Sequence, residues 1–177
     1  MLLTLPYQSI ELAKLILHPP TIDRKSRKIA RISYSNSPND ITILTPPLTL
    51  LKYDALANRI QFDTSKERAF GSKWNAIQAH IIDMIYMNSN GIFSRGYSME
   101  DIQAMLHSLY GTNCLTAYVF PTTLVKKADG TTCPIVDVAA GTSIRCLFRI
   151  HGLMFVDNRG ASSIRIQHSI PGMYIVE

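Results

Sequence analysis

Apolar residues recur at helical spacing in two places along the chain and alternate with polar residues in several others. From Ser72 to about Asn88, Trp74, Ile77, Ile81, Met84 and Ile85 form one stripe, with Ser72 placed to cap the helix. A second stripe follows Ser98: Ile102, Met105, Leu106 and Leu109, with Asp101 completing a variant capping box and Gly111 as the stop. The turn-rich stretches Asn88-Ser89-Asn90-Gly91 and Arg95-Gly96-Tyr97 separate the two helices.

Strand patterns lie on both sides of this helical section. From Lys28, alternation puts Ala30, Ile32 and Tyr34 on one face and Ile29, Arg31 and Ser33 on the other. The cluster Asn36 to Asp40 predicts a loop, and Ile41 to Leu44 a short strand stopped by Pro46 and Pro47. Leu115 to Phe120 predicts another strand, and Asp129-Gly130 a tight turn. Ile144 to His151 and Ser163 to Ile170 alternate cleanly around a loop at Asp157-Asn158-Arg159-Gly160. Tyr174 to Val176 is either a last short strand or a packed terminus, and Tyr7 to His18 suits a short helix or a strand. Five to seven strands and two helices make an α+β chain. One domain over 1–177 is expected, with a basic segment at about 24–31, a helical section at about 72–111 and a β-rich section at about 112–177.

Composition narrows the class. The 177 residues are 46% hydrophobic and 18% charged, which excludes global disorder, and the formal charge is only +5. Cys114, Cys133 and Cys146 are odd in number and widely spaced, which excludes zinc-ribbon spacing and a fully paired disulfide framework. Reduced, mostly buried thiols fit better. No ordered signal peptide and no uncharged apolar span of membrane length occurs, so a soluble intracellular protein is expected.

Motifs for catalysis are missing: no phosphate loop, dinucleotide fingerprint, nucleophile elbow or paired helical histidines. Asp83, Glu100 and Asp101 suit helix surfaces or caps, and His80 a partly buried structural position. No enzyme, cofactor, metal or small-molecule substrate is predicted.

The distribution of charge says more than its sum. Arg24, Lys25, Arg27, Lys28 and Arg31 crowd into eight positions. That run suits a solvated loop or strand edge, a phosphate-tracking segment or a nuclear targeting signal. In the C-terminal strands, Ile144, Cys146, Phe148 and Ile150 point one way and Arg145, Leu147, Arg149 and His151 the other. Ile164, Ile166, His168 and Ile170 likewise oppose Arg165, Gln167 and Ser169. Paired, the two strands would share one outer face carrying Arg145, Arg149, Arg165 and Gln167 and no carboxylate. Single strands of nucleic acid bind a positive groove with aromatic platforms, for which Tyr34, Tyr53, Tyr118, Phe120 and Phe155 are the adjoining candidates. Trp74 belongs to the helix stripe and is expected to be buried.

Two stretches carry a family resemblance. Leu44-Thr45-Pro46-Pro47-Leu48, after the strand from Ile41, resembles a segment of the single-stranded DNA-binding proteins of large eukaryotic DNA viruses. Thr142 to Ile170, with Ile164-Arg165-Ile166-Gln167, is similar to that family's closing hairpin. Lys52-Tyr53-Asp54 departs from the aromatic-glycine pair expected after the first segment. The resemblance implies a β-rich core of OB type that binds single strands without sequence preference in replication or repair.

The combined expectation is an OB-like barrel, or a strongly curved antiparallel sheet, with two helices inserted mid-chain. It is a non-enzymatic binder of single-stranded nucleic acid, DNA before RNA, in the cytoplasm or nucleus of a host. The expected contacts are Arg24, Lys25, Arg27, Lys28, Arg31, Arg145, Arg149, Arg165, Gln167, Tyr34, Tyr53 and Tyr118. A homo-oligomer is left open. The alternative is a viral structural or assembly protein acting through self-association.

Overall fold

The computed structural model describes residues 3–158 and 161–176. The first strands are short: β1 (Leu3–Pro6), β2 (Leu15–Leu17), β3 (Thr21–Ile22) and β4 (Lys28–Tyr34). Tyr7 to His18, ambiguous by pattern, holds two single 3-10 turns and then β2. In β4 Ala30, Ile32 and Tyr34 are buried and Arg31 is exposed as expected, but Ser33, expected on the outer face, is buried as well, against His18. Next, β5 (Ile41–Leu44) runs parallel to β1.

The hairpin of β6 (Leu48–Asp54) and β7 (Arg59–Asp63) was not expected from pattern. Its pairing slips between Leu50 and Lys52, so Leu51 and Lys52 are exposed in succession. A bulge resets alternation and removes the period-2 signal.

The helices are α1 (Arg68–Met87), the single turn α2 (Ser89–Ile92) and α3 (Met99–Met105). The predicted stripe of α1 is buried, Trp74 included. The helix starts earlier than Ser72, with Glu67 at the N-cap position, because Phe70 extends the stripe by a turn into the core. Ser98 and Asp101 form a reciprocal capping box. However, α3 stops at Met105. The chain then extends as β8 (Leu106–His107), which pairs in parallel with Ile164 and Arg165, so Gly111 is not a helix stop.

The remaining strands are β9 (Tyr110–Gly111), β10 (Cys114–Tyr118), β11 (Leu124–Lys126), β12 (Thr132–Pro134), β13 (Ser143–Asn158) and β14 (Ala161–Ile175). Gly130, at φ 86°, turns β11 into β12 beside the Asp129 carboxylate, which accepts from the Thr131 N–H. Tyr174 and Ile175 end β14. At the predicted β13–β14 loop, Asn158 pairs with Ala161, and Arg159 and Gly160 lie outside the described residues.

The described residues form a β-rich fold with three helices. Among them, fourteen strands make one large mixed sheet and the small β2 pairing, against the five to seven expected. Three of the pairings, β1 with β5, β8 with β14 and β11 with β14, are parallel, so the sheet is not purely antiparallel. Its longest path runs β12-β11-β14-β13-β6-β7-β10-β9. The path curls without closing into a barrel. Between β10 and β14 no ladder forms, and the Tyr118 N–H instead donates to His168 Nε2 at 3.0 Å. The curved sheet, not the closed barrel, is therefore the form adopted. Helix α1 covers the inner side, where Trp74 meets Phe148 of β13 edge to face at 4.8 Å. The three cysteines are free thiols, and burial pushes the Cys146 thiol well above its ordinary pKa.

Candidate nucleic-acid interface

The strand β13 turns its apolar positions into the core, where Ile144, Cys146, Phe148 and Ile150 are buried. Arg145, Leu147 and Arg149 therefore stand on the outer face. Arg149 lies opposite Ser169 on one side and Thr42 on the other, and its Nε–H donates to Thr42 Oγ1 at 3.3 Å. On β14, buried Ile164 and Ile166 send Arg165 and Gln167 to that same face.

The position of β4 joins the basic N-terminal run to this face. Gly152 of β13 pairs with Gln167 on one side and with Arg31 of β4 on the other. One row thus crosses three strands, from Arg31 over Gly152 to Gln167, a span of about 10 Å at ordinary strand spacing. The next row is Ile29, Met154 and Arg165. Gly152 leaves the middle of the first row empty, and a Cβ there would lie 2.3 Å from the Ala30 carbonyl oxygen. Two depressions follow these rows. The first, of about 440 Å³, is lined by Arg31, His151, Gly152 and Gln167 among others. The second, of about 360 Å³, is lined by His151, Met154, Arg165, Gln167 and Tyr118. His151 and Gln167 belong to both, so a shallow groove continues from Arg31 to Tyr118.

His151 occupies the centre because the β13–β14 register shifts between Ile150 and Gly152. Its Nδ1 is 2.7 Å from Asp40 Oδ2 and its Nε2 2.8 Å from Ser169 Oγ. Asp40 also accepts from Arg31 Nε–H at 3.3 Å, and Arg31 donates to the Pro38 carbonyl as well. The outer face is thus not free of carboxylates: Asp40 reaches it from the loop before β5. The order carboxylate, imidazole, hydroxyl is that of a nucleophile relay. Ser169, though, lies within a strand and not on a sharp turn that presents main-chain donors to a substrate oxygen. The effect of the chain of bonds is to tie one loop and two strands together and fix the ring on the groove floor.

The rest of the basic run disperses. Arg24, Lys25 and Arg27 are exposed on the β3–β4 turn, where Ser26 adopts φ 57°. Asp23 accepts from the Lys25 and Arg27 N–H groups and pairs with the Arg27 guanidinium at 2.6 Å. The bond from the Arg27 side chain is the main reason the Asp23 carboxyl titrates below its usual range. Lys28 Nζ–H donates to the Ile92 carbonyl. Arg145 is exposed on the outer face beyond Arg149, in a separate depression with Pro46, Pro47 and Glu67.

The aromatic candidates divide sharply. Tyr34 is buried and its hydroxyl accepts from the Glu11 N–H, so its ring is a core element unable to stack a base. Tyr53 is part-buried, donates to the Val119 carbonyl at 3.0 Å and has its phenol pKa raised by burial. Phe155 is buried, whereas Phe120 is exposed. Tyr118 is 51% exposed at the groove's end, with the Arg59 guanidinium 5.8 Å from its ring centroid. Beneath it His168 stacks on Phe148 at 4.9 Å, and burial lowers its pKa. Its Nε2 accepts from Tyr118, and its Nδ1–H is 3.0 Å from the Ile166 carbonyl, which defines a neutral ring with one tautomer. Asp40, His151 and Arg59 were absent from the predicted set. Only His151 carried a signal, as an outward position in the β13 alternation.

Among the described residues no group of three metal-ligating side chains is present, and no helix is long and apolar enough to cross a membrane. No family model matches the sequence, and no curated protein matches it either. Among solved structures, the chain is similar to the single-stranded DNA-binding protein from bacteriophage Enc34 in complex with ssDNA. The identity is 10% and the TM-score 0.45, over 91% of this chain and 95% of that one. A second structure, of the single-stranded DNA-binding protein from bacteriophage Enc34, gives 10% identity and a TM-score of 0.44, over 90% of this chain and 89% of that one. Both are phage proteins, not members of the eukaryotic-virus family that the two sequence stretches resemble. At this distance the likeness assigns no residue of this chain a role.

Proposed function

We propose that this chain binds single-stranded DNA, largely without sequence preference, along the groove from Arg31 to Tyr118. The observation that carries the reading is the register of three strands, in which Arg31, Arg149, Arg165 and Gln167 share one outer face. Guanidinium groups at strand spacing suit the oxygens of consecutive phosphates, and neutralising them releases counterions. Gln167 adds an uncharged donor. Tyr118 supplies a ring on which one base stacks. Arg24, Lys25, Arg27 and Lys28 extend the positive field at one end of β4, and Arg145 at the far end of β13. A sheet face with a shallow groove suits a flexible single strand better than a duplex, whose major groove takes a protruding helix or ribbon. In replication or repair, such a protein would cover exposed strands.

Fluorescence anisotropy with a labelled oligonucleotide across a salt series tests this. The expected result is binding that weakens linearly on logarithmic axes as salt rises, with duplex a poor competitor. Flat salt dependence, or no binding at low salt, overturns it. A stable oligomer indifferent to DNA in light scattering would favour the assembly reading instead.

A further inference from the structure

A cleft of about 530 Å³ opens beside the groove, within the roughly 300–1,000 Å³ of ordinary ligand pockets. Met154 lines both, so the two are continuous over one side chain. Phe93, Tyr97 and Phe155 all line the cleft. Phe93 meets Tyr97 edge to face at 4.8 Å and Phe155 at 5.7 Å, so the rings hold one another in place without any pair stacking. Arg95 lies outside the lining, its guanidinium carbon 4.8 Å from the Tyr97 ring centroid and its Nε–H donating to the Tyr97 hydroxyl at 2.9 Å. It backs that ring and orders it before any ligand arrives.

Charge around the rim is asymmetric. Arg27 and Lys28 stand on the side where β4 meets β13, since Lys28 pairs with Phe155. Asp157 stands on another part of the lining with Ser162, whose hydroxyl donates to it at 3.3 Å. A phosphate is attracted to the first edge and repelled by the second, and the apolar walls would desolvate it without compensation. A flat, neutral π-system with polar edges meets neither penalty.

We infer that this cleft is a nucleobase pocket. A strand following the outer-face groove past Arg165 turns one base over Met154 into the cleft that Phe93, Tyr97 and Phe155 line. Its phosphate stays outside, toward Arg27 and Lys28. This inference rests on the single-strand reading above but locates base contact at rings on a different part of the fold from Tyr118.

Two measurements test it. Oligonucleotides bearing 5-iododeoxyuridine are photo-crosslinked to the unmodified protein and the adducts mapped by mass spectrometry; adducts are expected on Phe93 or Tyr97. In parallel, Tyr97→Leu and Ser94→Trp are titrated with a normal oligonucleotide and with an abasic one. Each variant is expected to lose roughly ten-fold in affinity for the normal strand. The salt slope should be unchanged, because no phosphate contact is removed, and the abasic strand should bind variant and parent alike. Adducts confined to other segments, with folded variants that bind like the parent, overturn the pocket while leaving salt-dependent binding intact. Absence of any oligonucleotide binding at low salt overturns the single-strand reading itself.

Discussion

The outer face of β4, β13 and β14 and the tip of the β3–β4 turn carry comparable positive charge, yet they hold it differently. At the tip, three cations fall within four consecutive residues and one of them, Arg27, is held by Asp23. On the sheet, Arg31 comes from more than a hundred residues before Arg149 and Arg165, and the three are aligned only by pairing. Sequence density makes the tip conspicuous; strand register makes the sheet face a surface with direction. The difference teaches that the spacing of cations on a surface is set by ladders, and local charge count is a poor guide to it.

The largest effect that should separate the two regions comes from Gly152. A methyl group there meets main-chain atoms of β4, which cannot yield as a flexible side chain does. Gly152→Ala should cost about 1–3 kcal/mol of stability, the usual range for overpacking. It should also shift Arg31 relative to Gln167 and weaken DNA binding. Denaturant midpoints and anisotropy on the same samples check this, and a variant with parental stability and affinity would show that the row is unimportant.

Next in size is a direct exchange. Replacing Arg31, Arg149 and Arg165 together by Ala should reduce the salt slope by roughly 2, at about 0.7 per phosphate contact on a single strand. Replacing Arg24, Lys25 and Arg27 should reduce it less, because they stand on the β3–β4 turn outside the aligned rows; Asp23 holds Arg27 there as Asp40 holds Arg31 in the groove, so pairing does not separate the two sets. Equal or reversed losses would make the tip the primary contact.

The smallest effect is in pH. His168 titrates below an ordinary imidazole, chiefly through burial, with His151 adding to the shift and the Ile166 carbonyl opposing it. The unfolded chain therefore takes up this proton first, and the contribution of His168 to stability is complete above about pH 6.5 and declines as pH falls through the lower folded value. Protonation also ends the acceptance from Tyr118 that spans the β10–β14 opening. Asp23 has a depressed carboxyl pKa, so its contribution at the tip is complete above about pH 4 and falls only in stronger acid. Denaturation followed from pH 8 to 5 should show a loss that His168→Phe removes and that tip substitutions leave in place.

What was legible in the sequence was local. The stripe of α1, the capping box at Ser98 and the inward and outward sides of β4, β13 and β14 follow from periods of 3.6 and 2, which each segment expresses alone. The hairpin of β6 and β7 was hidden because its bulge breaks the period between Leu50 and Lys52. The overextension of α3 came from Leu106 and Leu109, whose helical spacing also serves an extended chain added to β14. For the site, alternation identified the outward arginines, but the placing of β4 beside β13 depends on pairing over more than a hundred residues. Asp40 and Phe93 lay in segments read only as turns. Tyr34 had the composition of a platform and the position of a core residue; burial decided between them.

The two ends of the sheet's longest path, β12 and β9, are three and two residues long. Every described strand with a single partner is equally brief, the longest being β1 at four residues, closed by Pro6. Margins this short, two of them ending in Pro6 and Pro134, offer little template for another chain to add by main-chain pairing. Copies of this protein crowded along one DNA strand would then meet through side chains and loops, and could be removed one at a time instead of fusing into a continuous β-structure.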